Sequence, residues 1–379
     1  MRPSKPWRWL AAGVLLGSLA TAQASTPAAP AKLRLVGYVV GGAEMPAITP
    51  GKLDVINFAF AQVDPAHRVF LPAETAAANL RQLVALRTRQ PALRIVLSIG
   101  GWGAGHFSEA AAKPAARTAF IDSAVALLRQ YDLDGLDIDW EYPTLPGPGI
   151  SHQPADRRNF SLLLEALRKR LDAEGQAQGN RHYLLTIASA EGEFAQGLEL
   201  PRIAQSLDWI NLMTYDFYGS LTPTTGHHAG LMPTPGAPAG ARNAQAAVEQ
   251  YLAAGVPASK IHLGVAFYGR RFAEVTPAAA GLLQPFGSDG GFISWRDIAD
   301  TRLGQPGWER HWDAQAQAAT LWNADLRQFI SYDDPQSLRA KIQYVREKGL
   351  GGLMYWEYRQ DRDEELLDVL VQGRDRPGN

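Results

Sequence analysis

The chain has 379 residues, 46% of them hydrophobic and 20% charged, which is an ordinary globular composition with ample material for a large core. Its net charge of −1 at pH 7, without a basic run, makes nucleic acid or an anionic membrane surface a poor candidate partner. It contains no cysteine, which excludes disulfides and thiolate metal sites.

Residues 1–24 have the features of a secretory signal peptide. Arg2, Lys5 and Arg8 precede an apolar run over 9–20, and Ala-Gln-Ala at 22–24 offers a small-residue cleavage site. The run is too short to span a bilayer, so we expect no membrane anchor after cleavage. The prediction is a protein secreted to the periplasm or the extracellular medium, with a linker at residues 25–32. Without residues 1–24 it has 34 basic and 38 acidic residues, a net charge of about −4.

Beyond the linker, short apolar runs rich in β-branched residues alternate with segments of helical periodicity. The predicted strands are Leu33–Val39, Val55–Gln62, Ile95–Ile99, Gly135–Asp139, Tyr183–Ala188, Trp209–Met213, Ile261–Val265 and Gly352–Trp356. The predicted helices are Ala76–Thr88, Ala115–Arg129, Arg158–Ala173, Ala244–Ala254 and Pro335–Lys348. This alternation predicts an α/β fold, a (β/α)8 TIM barrel over residues 33–372 followed by a tail at 373–379. A doubly wound open sheet is the alternative.

Two segments depart from simple alternation. Residues 221–241 are rich in Pro, Gly and Thr, and we expect a long surface loop after the sixth strand. Residues 271–331 separate the seventh strand from the last helix, and we predict a small α+β insertion there. The insertion carries four tryptophans, each better interpreted as part of its core than as a binding residue: Trp295, Trp308, Trp312 and Trp322.

The fourth predicted strand carries acidic residues at alternate positions. Asp137, Asp139 and Glu141 share one face, and apolar residues occupy the other. Like charges stacked on one face of a strand repel, so chemistry is a better explanation than stability. Crowding disfavours ionising all three, and we expect them to titrate as a coupled set. Glu141 is the outermost and, because Pro143 ends the strand beside it, is placed to act as a general acid.

Other functional patterns are weaker. An EF-hand calcium loop from Gln130 to Glu141 fails at its first and eighth positions. The glycine-rich run 100–105 departs from the dinucleotide fingerprint. His227 and His228 lie in the Pro/Gly loop without acidic or cysteine partners nearby in sequence, which argues against a metal site. We interpret Ser98 as a structural hydroxyl beneath the acidic residues and not as a nucleophile. No Gly-x-Ser-x-Gly nucleophile elbow is present.

The segment Asp-Gly-Leu-Asp-Ile-Asp-Trp-Glu at 134–141 resembles the signature of family 18 glycoside hydrolases, the chitinase family. Five further blocks resemble other motifs of that family and occur in the same order. They are Ser-Ile-Gly-Gly-Trp at 98–102, Met-Thr-Tyr-Asp at 213–216, Tyr-Gly-Arg at 268–270, Ser-Tyr-Asp-Asp-Pro at 331–335 and Gly-Leu-Met-Tyr-Trp-Glu at 352–357. The resemblance extends from residue 33 to residue 370.

The resemblance implies a role for each matching residue. Glu141 would protonate the glycosidic oxygen and later activate water, while Asp139 would orient the substrate's acetamido group and share a proton with Asp137. Tyr215 would hydrogen-bond the acetamido carbonyl as its oxygen attacks the anomeric carbon. The resemblance also implies a set of substrate-binding residues: Tyr38, Phe60, Gly101, Trp102, Met213, Asp216, Tyr268, Arg270 and Trp356.

These observations predict a secreted chitinase that hydrolyses β-1,4-linked N-acetylglucosamine polymers by a retaining, substrate-assisted mechanism. Its expected partners are chitin or N-acetylglucosamine oligosaccharides, and we expect a monomer without metal or cofactor. The alternatives are an endo-β-N-acetylglucosaminidase acting on N-glycans or peptidoglycan, and a non-catalytic chitin-binding lectin. The lectin normally lacks the terminal acid, and Glu141 is present.

Overall fold

A computed structural model describes Met1 and residues 32–375 of the chain. The predicted signal peptide and linker therefore lie outside the described residues, apart from Met1 and Lys32. Within residues 32–375, no helix is both long enough and apolar enough to cross a membrane.

Eight parallel strands within residues 32–375 close into a barrel. The closure is visible in β1 (Arg34–Val40), which pairs in parallel with β14 (Gly352–Trp356) on one side and with β2 (Val55–Val63) on the other. The prediction of a TIM barrel is confirmed, and the open-sheet alternative is wrong. The barrel strands are β1 (Arg34–Val40), β2 (Val55–Val63), β4 (Arg94–Gly100), β5 (Gly135–Asp139), β6 (Leu184–Ser189), β7 (Trp209–Leu212), β8 (Ile261–Ala266) and β14 (Gly352–Trp356); β3 (Val69–Phe70) is a short antiparallel partner of β2.

Helices pack around the barrel and bury the outward face of each strand. They are α1 (Glu74–Ala85), α2 (Phe107–Ala112), α3 (Pro114–Gln130), α4 (Asp156–Ala177), α5 (Leu200–Ser206), α6 (Ala244–Ala253), α8 (Pro335–Glu347) and α9 (Glu365–Asp375), whereas α7 (Trp295–Thr301) belongs to the insertion. The five predicted helices correspond to α1, α3, α4, α6 and α8. Of the others outside the insertion, α2 and α5 are too short to show a helical period, and α9 runs three residues into the predicted tail.

Local sequence explains where several helices begin. The Asn243 side chain accepts a hydrogen bond from the Ala246 N–H and caps α6. At α8, Asp334 and Ser337 form a reciprocal capping box, and Pro335 occupies the first helical position. Both helices thus start at polar side chains that satisfy the free N–H groups of their first turns.

The insertion is an antiparallel sheet with one helix, α7. Its strands are β9 (Tyr268–Ala273), β10 (Ser288–Ser294), β11 (Glu309–Asp313), β12 (Ala318–Asn323) and β13 (Gln328–Tyr332), arranged in the order β10-β9-β13-β12-β11. It thus begins at Tyr268, three residues before the predicted start. All four insertion tryptophans pack in or against the hydrophobic core.

The prediction of a surface loop over residues 221–241 is wrong for its central part. Residues 225–231 are buried. The Thr225 N–H donates to the Gln284 carbonyl at 2.9 Å, and the Leu231 N–H donates to the Ala316 carbonyl at 3.0 Å. The insertion supplies both carbonyls, so it covers a segment whose composition alone resembles solvent-exposed loop.

Candidate active site

The alternation predicted for the acidic strand is present in β5. Asp137 and Asp139 are buried inside the barrel, and Glu141 follows two residues beyond the strand end. The apolar residues between them pack outward against the helices. Among these, the Trp140 ring stacks on Phe107 with centroids 5.5 Å apart.

Asp137 is a buried carboxylate of this site whose two oxygens accept four hydrogen bonds. It lies in register with Ser98 on β4 and with Thr186 on β6, so three polar side chains meet at one level of the barrel. Its Oδ2 accepts from the Tyr38 hydroxyl at 2.8 Å and from Ser98 Oγ at 2.7 Å. Its Oδ1 accepts from Thr186 Oγ1 at 2.6 Å and from Asn211 Nδ2 at 3.2 Å. Burial raises the pKa of Asp137, and these four hydrogen bonds oppose that rise.

Asp139 contrasts with Asp137, because its Oδ1 is buried without a hydrogen-bond partner in the described part of the chain. Burial, followed by repulsion from Glu141 and Asp137, raises the pKa of Asp139 well above its ordinary value. No hydrogen bond between Asp139 and Asp137 occurs among the described contacts, so the shared proton stays a prediction. An unpaired buried oxygen is costly and marks a position where a ligand could donate.

Glu141 is half-buried at the rim of the barrel, where the strand gives way to a loop. Burial is the main cause that raises its pKa to about 7; the Tyr142 hydroxyl opposes this effect, and the charge of Asp216 adds to it. A carboxyl group that still holds its proton near neutral pH can serve as a general acid.

Tyr215 lies beyond the end of β7, and its described hydroxyl contact is weak, to Met354 Sδ at 3.7 Å. Burial, and then the charges of Asp139 and Asp216, raise the pKa of Tyr215 well above its ordinary value. The hydroxyl therefore stays neutral and can donate a hydrogen bond. The Tyr268 ring packs edge-on against the Tyr215 ring at 6.1 Å, and Met213 borders the same interior cluster.

Asp216 stays ionised although it is partly buried, with 35% of its side chain exposed. Burial acts to raise its pKa, but interactions with His228 and Arg270 outweigh it, and the pKa of Asp216 is lowered. Arg270 Nε donates to Oδ1 at 2.9 Å, and His228 Nδ1 lies 3.7 Å from the same oxygen.

The two loop histidines have acidic partners in space, although none lies nearby in sequence. His227 Nε2 lies 3.1 Å from Asp313 Oδ2 in the insertion, and His228 faces Asp216. Both partners are distant in sequence, so no local pattern could have revealed them. Within residues 32–375 there is no group of three or more His, Asp or Glu that could hold a metal ion.

An aromatic floor lies at the carboxyl ends of β1, β2 and β14. Trp356 is half-buried; its ring stacks on Phe60 with centroids 5.6 Å apart and lies 5.5 Å from the Tyr38 ring. Gly101 has φ +92°, and a Cβ there would lie 2.6 Å from the Phe60 ring, so only glycine fits beside the floor. Trp102 is 62% exposed, and its ring packs edge-on against the Tyr142 ring with centroids 6.4 Å apart.

The acidic residues of the EF-hand alternative lie at opposite ends of β5 and cannot bind one calcium ion together. Asp134 lies before β5, where it forms ion pairs with Arg87, Arg94 and Arg181. Glu141 lies beyond the other end of the same strand. Glu141, Tyr215 and Trp356, by contrast, lie at or just beyond the carboxyl ends of barrel strands, where barrel enzymes build their sites.

Comparison with known proteins agrees with this geometry. The sequence profile of glycosyl hydrolases family 18 matches residues 34–361. The chain is 40% identical to Chitinase A1 of Niallia circulans over 310 residues, which covers 78% of this chain and 44% of that protein. It thus spans less than half the length of that relative.

Solved structures show the same fold along nearly the whole chain. A family 18 N-acetylglucosaminidase from Paenibacillus barengoltzii superposes with a TM-score of 0.84 at 40% identity, covering 90% of this chain and 99% of that one. A class V chitinase variant from Nicotiana tobaccum, solved in complex with NAG4, superposes with a TM-score of 0.82 at 28% identity, covering 91% and 99%.

Proposed function

The chain belongs to glycosyl hydrolase family 18, and from that premise we propose that it is a chitinase that hydrolyses β-1,4 bonds between N-acetylglucosamine units. The observation that carries the proposal is the arrangement at the end of β5. Glu141, whose pKa is raised to about 7, lies beside a buried Asp139 oxygen without a partner among the described residues and a Tyr215 hydroxyl that can donate.

The proposed mechanism uses these three groups on one sugar. The unpaired Oδ1 of Asp139 accepts the acetamido N–H, and the Tyr215 hydroxyl donates to the acetamido carbonyl. That carbonyl oxygen attacks the anomeric carbon as the glycosidic C–O bond breaks, and Glu141 transfers its proton to the leaving oxygen. Glu141, now ionised, then removes a proton from the water that opens the cyclic intermediate with retention of configuration.

The substrate supplies the nucleophile in this mechanism, because Asp139 binds the acetamido N–H and the other two carboxylates described near Glu141 already have partners. Asp137 is occupied by four hydrogen bonds, and Asp216 is held by Arg270 and His228. Two-carboxylate retaining enzymes need a second carboxylate facing the acid across the bond at about 5–5.5 Å. The acetamido oxygen is the remaining group that can attack.

The aromatic floor suits a sugar polymer. Pyranose rings present apolar C–H faces, and Trp356 offers an aromatic face at the mouth of the barrel, flanked by Phe60 and Tyr38. The nearest rivals are an enzyme that cuts N-glycans or peptidoglycan with the same catalytic residues and a lectin on the same fold. The presence of Glu141 argues against the lectin.

The proposal includes export, because residues 1–24 carry the basic, apolar and small-residue regions of a signal peptide. Cell fractionation that detects the full-length chain only in the cytoplasm would contradict it.

One experiment separates these possibilities. The mature chain is incubated with a chitin hexasaccharide, and products are resolved by length and anomer, with a high-mannose glycoprotein and peptidoglycan glycan strands in parallel. We expect oligomer cleavage with β-anomer formed first, and about 10²–10⁴-fold less turnover in Glu141→Gln. Binding without cleavage would indicate the lectin, and cleavage of only the other two substrates would indicate the rival enzyme.

Partially deacetylated chitosan tests the substrate-assisted step by itself. Because the acetamido group is the nucleophile, new reducing ends should carry N-acetylglucosamine and not glucosamine. Frequent glucosamine at those ends, or an α-anomer formed first, would defeat the mechanism even if chitin is the substrate.

A further inference from the structure

Arg242, the residue before the cap of α6, bridges the loops that follow β6 and β7. Its Nε donates to Glu191 Oε1 in the loop after β6. Its Nη1 donates to the main-chain carbonyl of Asp216 in the loop after β7, at 3.2 Å. The same guanidinium therefore ties an anchor carboxylate to the main chain of a residue in the candidate active site.

The Arg242 guanidinium is also held between two aromatic rings. It lies 5.4 Å from the ring centroid of Phe194 and 5.3 Å from that of Phe217. The Phe194 ring in turn packs on Tyr142 with centroids 4.4 Å apart. Because Tyr142 directly follows Glu141, the packing that includes Arg242 reaches both acidic segments of the site.

Asp216 has a backbone that needs such support. Its φ of 56° is in the left-handed region, which disfavours a residue with a Cβ by about 1–2 kcal/mol. Arg270 and His228 hold its carboxylate, and Tyr268 and Tyr215 also face it. Arg242 acts on a different part of Asp216, since its contact is to the main-chain carbonyl.

Glu191 accounts for the orientation of Arg242. The Glu191 side chain is 4% exposed, and its Oε2 has no hydrogen-bond partner among the described residues. A buried carboxylate is unfavourable unless a cation pairs with it, so Glu191 holds the guanidinium in place. The planar fork of arginine can donate to Glu191 and to the Asp216 carbonyl while stacking on the rings, and a lysine ammonium cannot do all three.

We propose that Arg242, anchored by Glu191, is a positioning residue that holds Asp216 and the Glu141–Tyr142 segment in their reactive arrangement. Its described contacts do not include Glu141, and it acts through the residues it contacts. The inference rests on the proposed hydrolase function. Displacing Asp216 should therefore lower the pKa of Glu141, because the nearby charge of Asp216 helps to raise that pKa.

The test removes the Arg242 hydrogen bonds to Glu191 and to the Asp216 carbonyl, which we call the brace, without leaving a buried charge. Arg242→Met keeps an apolar stem between the two rings and loses the donors, and Glu191→Gln removes the carboxylate that would be left unpaired. The double variant is compared with Glu191→Gln alone on a chitin hexasaccharide. We expect kcat to fall about tenfold, the worth of one positioning hydrogen bond, with a smaller change in KM.

A matched control separates positioning from loss of stability. Arg129 pairs with Glu174, whose side chain is also 4% exposed, on the helices α3 and α4 away from the barrel rim. Arg129→Met with Glu174→Gln should lower the melting temperature similarly and leave kcat unchanged. Arg242→Lys keeps the charge and should remain impaired; full activity in that variant would overturn the proposal.

The pH profile of kcat distinguishes displacement of Asp216 from simple loss of the Arg242 charge. If Asp216 moves away, the basic limb of kcat shifts to lower pH. Losing a nearby positive charge alone would shift it to higher pH, and that result, or an unchanged limb and kcat, would refute the inference.

A measurement without substrate makes the two proposals separable. The pKa of Glu141 is followed by 13C-carboxyl NMR, with its signal assigned by its absence in Glu141→Gln. If the wild type cleaves no chitin oligomer, the proposed function fails, while a lower Glu141 pKa in the double variant still supports the brace and an unchanged one refutes it.

Discussion

Replacing Glu141 by Gln should reduce activity and stabilise the fold at alkaline pH. Folding raises the pKa of Glu141 from an ordinary value of 4.5 to about 7, chiefly through burial. Between those values the folded state binds more protons than the unfolded state, so the free energy of unfolding falls as pH rises through this window. Gln has no proton to lose and escapes that penalty.

The size of the effect follows from the pKa difference. Each unit of pKa difference corresponds to about 1.4 kcal/mol, so ionised Glu141 destabilises the folded state by at most about 3.5 kcal/mol above pH 7. For a folded unit of this size that is roughly 5 °C in melting temperature. Below pH 4.5 both states carry the protonated acid, and the contribution disappears.

The assay is thermal unfolding of wild type and Glu141→Gln from pH 4 to pH 9, with hexasaccharide turnover measured beside it. We expect the melting-temperature difference to grow from pH 4.5 to 7 and to stay constant above that. The control is Glu309→Gln, because Glu309 lies on the exposed strand β11 of the insertion. A pH-independent difference would refute the assigned burial of charge, and near-normal turnover of the Gln variant would refute the general-acid role.

Two further predictions concern the floor and the core. Trp356→Ala should weaken oligosaccharide affinity and lower turnover with a small loss of stability, because the ring is half-buried at the mouth of the barrel. Titration calorimetry measures the affinity, with Trp308→Ala as the control. A large loss of stability with unchanged affinity would indicate that Trp356 serves core packing. Lys341→Met should cost about 3–5 kcal/mol in urea unfolding, since it strands the buried partner Asp333, which Lys341 Nζ meets at 2.6 Å. The half-exposed Lys348→Met should cost less than about 1 kcal/mol, and equal losses would contradict this account.

The acidic face and the barrel were predictable because their signals are local. Side chains alternate every second residue along a strand, so the sequence around Asp137 already placed three acids on one face, and the structure retains that face. Strands that alternate with helices leave few architectures open. The family motifs added candidate roles for Tyr215 and Trp356, which periodicity alone would have left as ordinary strand residues.

The partners of those acids were decided only by the tertiary structure. Thr186 and Asn211 reach Asp137 from neighbouring strands, and His228 reaches Asp216 from a segment that the insertion buries. The brace formed by Arg242 likewise joins loops far apart in sequence. A local pattern determines which face of an element a side chain occupies. Which group it meets there, and how far burial shifts its pKa, depends on how distant elements pack, because hydrogen bonds and desolvation act between neighbours in space.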